Sequence, residues 1–274
     1  MDLSMDPDVA EGYSSKAQRS RVITETWASK NLYCLNCNVE RIEAHQPGKR
    51  VEDFLCPSCD RRIQLKASRG GHATRVSNSA YEPKMEAIYD NSAPDYAFMG
   101  FDPDRWRVRD LFIVPGHFLT PNVVEKREPL SSDARRSGWV GSNILLDNIP
   151  EAGRIDLVDA GVAVSKDEAR KQFDETAFLS ELGSETRDWT TAVMDCIDEL
   201  PVRPGGRFEL SDVYQFEDRL AEMYPDNDHV RAKIRQQLQV LRDEGHLEFL
   251  GDGEYRLCWV DRNGGGHGGG ARGR

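Results

Sequence analysis

The spacing of apolar and polar positions divides the chain into a first part, where short strand-like runs interleave with helices, and a second part that is helical and closes on a hairpin. Residues 1–10 are expected to be a disordered lead. Residues 11–30 carry Tyr13, Ala17, Val22, Ile23 and Trp27 at helical spacing. Strand-like runs are predicted at 51–55, 62–67, 96–101, 110–114 and 154–158, with turn residues between them. A helix is predicted over 81–89. Strands mixed with helices in this way predict an α/β layer over 11–183.

From residue 184 to about 260 the order of elements is that of a winged helix, an α+β unit. A first helix carries Trp189, Val193, Cys196, Ile197 and Leu200 at spacings of three and four. A short strand at 208–210 precedes Ser211, a candidate N-cap, and a second helix is expected to bury Val213, Phe216, Leu220 and Met223. Asn227 is the expected cap of a third helix. Gly251-Asp252-Gly253 then turns a hairpin between 247–250 and 254–258. Residues 261–274 are almost all glycine and polar residues and are expected to form a flexible tail.

Composition narrows the function classes. No run approaches the roughly 18 apolar residues of a membrane span, and the acidic N-terminus lacks the basic start of a signal peptide. A cytoplasmic protein is expected, with no membrane partner. The net charge is -11, which on average opposes nucleic acid, yet the charge is unevenly placed. Residues 47–75 hold seven basic groups against three acidic, and residues 227–242 hold four against one. Nine of the 36 basic residues are lysine. An acidic, Arg-rich and Lys-poor chain is expected of a salty cytoplasm, where surface charge keeps a protein in solution.

Four of the six cysteines form two tight pairs, Cys34-Leu-Asn-Cys37 and Cys56-Pro-Ser-Cys59, with 18 residues between them. This spacing suits a four-thiolate zinc site with no open coordination position, so the zinc is expected to be structural. Disulfides are disfavoured in a reducing compartment. Cys196 and Cys258 sit among apolar residues and are expected to fill cores.

The second cysteine pair is flanked by Asp53 and by Arg62-Ile63-Gln64-Leu65-Lys66-Ala67. Alternate side chains of a strand share a face, so Ile63 and Leu65 are expected to point inward and Gln64 and Lys66 to the other side. The zinc knuckle folds the chain back as a hairpin, which lets Asp53 meet Gln64 and Lys66. A carboxylate, an amide oxygen and an ammonium then converge, the chemical logic of a PD-(D/E)xK nuclease. Taken alone, the same spacing also fits polar residues on an edge strand. Arg61, Arg62, Arg69 and Arg75 surround the group, as phosphate contacts would.

Several stretches together carry a more specific likeness: Arg50-Val51-Glu52-Asp53-Phe54, the segment Ala134-Arg135-Arg136-Ser137-Gly138-Trp139-Val140-Gly141, Gly153-Arg154-Ile155, residues 233–243 and the paired cysteines. From about residue 11 to 258 the chain resembles the DpnI-like methyl-directed restriction endonucleases. The resemblance implies a PD-(D/E)xK nuclease domain with an inserted zinc knuckle, followed by a winged-helix domain. It implies cleavage of double-stranded DNA at GATC sites carrying N6-methyladenine, with Mg²⁺ as cofactor. Asp53, Gln64 and Lys66 are then the expected catalytic residues, with Asp53 and Gln64 on Mg²⁺ and Cys34, Cys37, Cys56 and Cys59 on Zn²⁺. The family has Glu where this chain has Gln64. An amide oxygen still ligates Mg²⁺ but adds no net charge, so weaker metal binding is expected, with neighbouring Glu52 as a compensating carboxylate.

Sorted at 100° per residue, the third helix places Val230, Ile234, Gln237, Leu238 and Leu241 on one side. His229, Ala232, Arg235, Gln236 and Gln239 lie opposite. Gln can pair with adenine edges, Arg with guanine, and Ala leaves room for a methyl group. Arg231 and Lys233 lie on the flanks and suit phosphates. Trp139, beside Arg135 and Arg136, is a candidate wedge between bases or a platform for a methylated adenine; a lone Trp is also an ordinary core residue. Two other readings share many of these features: a reader of methylated DNA without cleavage, and a zinc-ribbon and winged-helix transcriptional regulator. The oligomeric state is left open, a monomer included.

Overall fold

The structure is a computed structural model, and it describes residues 1–44 and 53–258. Glu52, the first residues of the strand expected at 51–55, and the glycine-rich tail lie outside the described residues. The chain forms two compact units, Met1–Thr191 and Ala192–Arg274. No helix among the described residues is long and apolar enough to cross a membrane.

The first unit is the mixed α/β domain that the interleaved pattern predicts. The helix α1 (Lys16–Asn31) starts where Ser15 accepts from the Gln18 amide, and it buries Ile23, Thr24, Trp27 and Ala28. The two-residue strands β1 (Glu43–Ala44) and β2 (Phe54–Leu55) pair with each other, and β2 pairs antiparallel with β3 (Arg62–Arg69). Next come β4 (Arg75–Ala80), α2 (Tyr81–Tyr89), β5 (Asp95–Asp102) and β6 (Arg107–Val114). Further along lie β7 (Val124–Lys126), β8 (Gly141–Leu145), β9 (Ile155–Asp159) and β10 (Val162–Ala163). The main sheet runs in the order β1-β2-β3-β5-β6-β9-β10, and β3–β5 is its parallel pair among antiparallel ones. A second sheet, in the order β4-β8-β7, supplies another layer.

Strand β5 is buried along almost its whole length, as expected of a central strand covered on both faces. Ala97, Met99 and Phe101 join the core with Ile23, Trp27, Ile63, Leu111 and Phe173. The alternate residues face the other way, where the rings of Tyr96, Phe98 and Phe112 stack in a row at centroid distances of 6.0 and 5.1 Å. Helix α3 (Lys166–Thr176) is capped by Ser165. It clamps the first cysteine pair, its Arg170 donating to the carbonyls of Cys34 and Val39 at 3.2 and 3.3 Å.

The first ten residues are ordered, contrary to the expected disordered lead. Leu3 and Met5 are buried in the core. The Met5 amide donates to the Trp106 carbonyl, the Val108 amide to Leu3, and the Trp27 indole to the Asp2 carbonyl. The acidic side chains that suggest disorder are interspersed with two apolar ones, Leu3 and Met5, that are buried in the core.

A long helix, α4 (Ser184–Asp198), contains the boundary between the two units. The second unit continues with β11 (Arg207–Glu209), α5 (Leu210–Tyr214), α6 (Glu217–Met223), α7 (Val230–Asp243), β12 (Leu247–Gly251) and β13 (Glu254–Leu257). The three strands form one sheet in the order β11-β13-β12. This is the winged-helix order, with two corrections. The expected second helix is split into α5 and α6, and its N-cap is Glu209, which exchanges capping bonds with Asp212, rather than Ser211. His229, rather than Asn227, is the N-cap of α7, while the Asn227 side chain accepts from the His229 amide one step earlier. The hairpin turn needs positive φ at all three residues, +102° at Gly251, +48° at Asp252 and +83° at Gly253, which explains glycine at two of them. Cys196 is buried as expected, but Cys258 is exposed, so it does not fill a core.

Candidate functional site

Period two along β3 decides what faces what. Ile63 belongs to the core and Leu65 packs against it. Gln64 and Lys66 point to the opposite face, where they stand in register with Tyr96 and Phe98 of β5. The Cys56–Cys59 turn reverses the chain, with the Cys56 amide donating to the Arg61 carbonyl and Asp60 at φ +55°. Asp53 is thereby laid beside β3. Its amide donates to the Ile63 carbonyl at 3.3 Å, and its Oδ2 accepts from the Leu65 amide at 2.7 Å. That second bond fixes the carboxylate rotamer next to Lys66.

Asp53, Gln64 and Lys66 line one cleft of about 1290 Å³, larger than the few hundred Å³ of an ordinary small-ligand pocket. Its walls come from α1, β3, β4 and the loop at His72, and they carry Lys16, Arg21, Arg69 and Arg75. Burial depresses the Lys66 ammonium below its usual range, while the Asp53 carboxylate acts against that. The two effects act on the same ammonium in opposite directions.

Three groups that line this cleft, and a fourth behind it, escaped the sequence reading. His72 lines it, held with Nε2 3.2 Å from the Met99 carbonyl and pushed by burial toward the neutral form. Behind the strand face, Lys84 and Asn78 both donate to Tyr96 Oη, and burial lowers the Lys84 ammonium to about 8. The last is Glu25 of α1. None had a legible signal, because each reaches the site across a helix–sheet or sheet–sheet contact that no local periodicity encodes.

The arginines around the group divide. Arg69 and Arg75 line the cleft, Arg69 also donating to Ser20 Oγ at 3.3 Å and Arg75 pairing with Glu125 at 2.9 Å. Arg61, expected as a phosphate contact, instead forms an ion pair at 2.7 Å with the fully buried Asp95 and stacks over Phe173. Its work is to neutralise a carboxylate that also accepts from the Gly116 amide. Arg62 donates to the Ser92 carbonyl.

The four cysteines converge as their spacing requires. Their sulfurs all lie within 4.8 Å of one another, with Cys34–Cys59 at 3.5 Å and Cys37–Cys56 at 3.6 Å. Cys34 and Cys56 are buried, and Cys37 and Cys59 partly so. Without a cation, burial among the other thiols pushes the Cys34 thiol up. A thiophilic cation would reverse that by stabilising the thiolates, so this donor set fits zinc.

In the second unit, Val230, Ile234, Gln237, Leu238 and Leu241 are the buried residues of α7. His229, Arg231, Ala232, Arg235, Gln236 and Gln239 are exposed and Lys233 is half-buried. Two of the cations are held by α5 and α6. Arg231 pairs with Glu217 at 2.7 Å, and Arg235 donates to Tyr214 Oη at 2.7 Å. These contacts orient the guanidinium groups along the exposed face.

Trp139 lies in the loop before β8, half-buried, with Arg136 4.9 Å above its ring and Arg135 exposed beside it. The indole presses on Gly141, where a Cβ would meet it at 2.8 Å. Trp139 is not among the residues lining the cleft.

Comparison with protein families matches residues 1–182 to DpnI, the Dam-replacing family, and residues 185–257 to DpnI_C, the Dam-replacing HTH domain.

Proposed function

The chain belongs to the DpnI, Dam-replacing family of restriction enzymes, and on that premise we propose that it hydrolyses phosphodiesters of double-stranded DNA at GATC sites whose adenine carries an N6-methyl group, with Mg²⁺ as cofactor. The observation that carries this reading is the convergence of Asp53, Gln64 and Lys66 on one face of one basic-walled cleft.

The donors there are a carboxylate and an amide oxygen, both hard, and they fit Mg²⁺. Asp53 and Gln64 would hold the ion, which supplies Lewis-acid polarisation of the phosphate and a more acidic bound water. The remaining work falls to the chain. The Leu65 amide holds Asp53 in one orientation. Lys66 positions the attacking water or offsets charge on the phosphorus oxygens as it grows. Arg69 and Arg75 hold the DNA backbone by charge, which positions the duplex without reading it.

Reading falls to α7, with His229, Arg235, Gln236 and Gln239 toward base edges and Arg231 and Lys233 toward phosphates. Trp139, with Arg135 and Arg136, is a second contact for the methylated base. Zinc in the cysteine cluster is structural, since four thiolates leave no position for substrate.

One observation favours a second reading, a methylated-DNA reader that does not cut: Gln64 brings no charge to the metal. The deciding experiment incubates the protein and Mg²⁺ with a plasmid methylated at GATC and with the same plasmid unmethylated. Cutting of the methylated plasmid alone is expected. Retained binding to methylated DNA with neither plasmid cut would establish the reader instead.

A further inference from the structure

The cleft contains a second carboxylate that the proposed chemistry does not use. Glu25 sits on α1 one residue after the buried Thr24, and it borders the same cleft as Asp53, Gln64 and Lys66. Its helix is held to the catalytic strand, since Arg69 of β3 reaches Ser20 of α1. One turn before it, Arg21 places Nε 3.1 Å from Glu25 Oε1, with the arginine side chain 74% exposed.

Burial raises the Glu25 carboxyl above its ordinary range, Arg21 opposes that, and the charge of Asp53 adds to it. Asp53 and Glu25 border the same cleft, one from the β2–β3 hairpin and one from α1. Two carboxylates and an amide oxygen lining one cleft offer the hard oxygen donors, and the negative charge, that a divalent cation takes. The only formal charge that Asp53 and Gln64 bring to a cation is that of Asp53.

We propose that Glu25 supplies the second carboxylate of the divalent-cation site, taking the place of the charge that Gln64 lacks; this rests on the assignment of Asp53 and Gln64 to that site. Arg21 pairs with Glu25 and would compete with the cation for it. Because its guanidinium is largely in water, it gives way to the cation with little loss of packing. A carboxylate from α1 also makes the helix part of the metal site, so cation binding tightens α1 against β3.

The test is calorimetric titration of Mn²⁺ into the zinc-replete full chain without DNA, with circular dichroism confirming the fold of each variant. Glu25→Gln is expected to weaken Mn²⁺ binding by about tenfold or more. Adding Gln64→Glu to Glu25→Gln is expected to restore it, because the missing carboxylate returns at the other position. Arg21→Ala is expected to tighten binding by freeing Glu25. Asp53→Asn separates the two levels of the argument. If Asp53→Asn abolishes binding while Glu25→Gln binds as the unaltered protein does, the role of Glu25 is overturned and the cation site stands. If Asp53→Asn has no effect, the cation site itself is misplaced and both readings fall.

Discussion

On the proposed reading, Gln64 offers Mg²⁺ an amide oxygen where a glutamate would offer a charged one. Gln64→Glu is expected to lower the Mg²⁺ concentration for half-maximal cleavage by about tenfold, read from the rate of plasmid linearisation across a Mg²⁺ series. Lys66→Ala should abolish cutting while leaving binding of methylated DNA nearly intact, measured side by side by gel shift. A different residue governs acid stability. His117 is buried against Thr176, Phe118 and Phe173, and burial, with Arg61 and Arg187 nearby, lowers it to about 3. Between pH 6.5 and about 3 the unfolded chain binds a proton at this residue that the folded chain refuses, so stability falls as pH falls through that window. From pH 7 to 5 the loss should reach about 2 kcal/mol, and urea midpoints of His117→Gln should show it removed. The sharing of faces by Gln64 and Lys66 was legible in sequence because a strand has period two. Glu25 was not, since its helix spacing says nothing about which strand the helix crosses. Arg61 misled for a related reason: its buried partner Asp95 lies 34 residues away.

Elements were legible to the degree that one face of each is apolar. Helix α7 buries the five residues that helical geometry selects, and α2 spans 81–89 as predicted. Caps were harder, because Glu209 and Asp212 satisfy each other by a reciprocal pair of bonds that competes with the simpler Ser211 signal. On the proposed reading, the hairpin β2–β3 is the element on which the chemistry depends most. Its β2 arm is two residues long, too short to hold register without the cysteine cluster. Stripping zinc with a strong thiophilic chelator is therefore expected to abolish cutting, and Mg²⁺ alone should fail to restore it. Far-ultraviolet circular dichroism should change little, since the larger strands do not depend on the metal. For α7, Gln236→Ala should relax discrimination at one base position by about 1–3 kcal/mol, read by competition between altered sites.

For the whole molecule, salt acts in two directions. A net charge of -11 repels itself in the folded state, so raising salt into the molar range should raise the melting temperature. The same salt should weaken DNA binding, with a log–log slope of about -0.9 for each phosphate neutralised. Removing Lys233 should reduce that slope by about one. The basic segments proposed to carry this effect are legible as local charge imbalance against an acidic background. The ordered first ten residues are not, because two apolar side chains among acidic ones resemble a disordered leader until the core that buries them is known.

The order of synthesis gives the cysteine cluster one more consequence. Both cysteine pairs and Asp53 leave the ribosome within the first sixty residues, before β5 and β6 exist to hold β3. On the proposed reading, a newly made chain becomes able to cut only after it has captured zinc. Metal supply then sets how many copies are armed, independently of how many are made, and a zinc-starved cell accumulates the protein without its hazard.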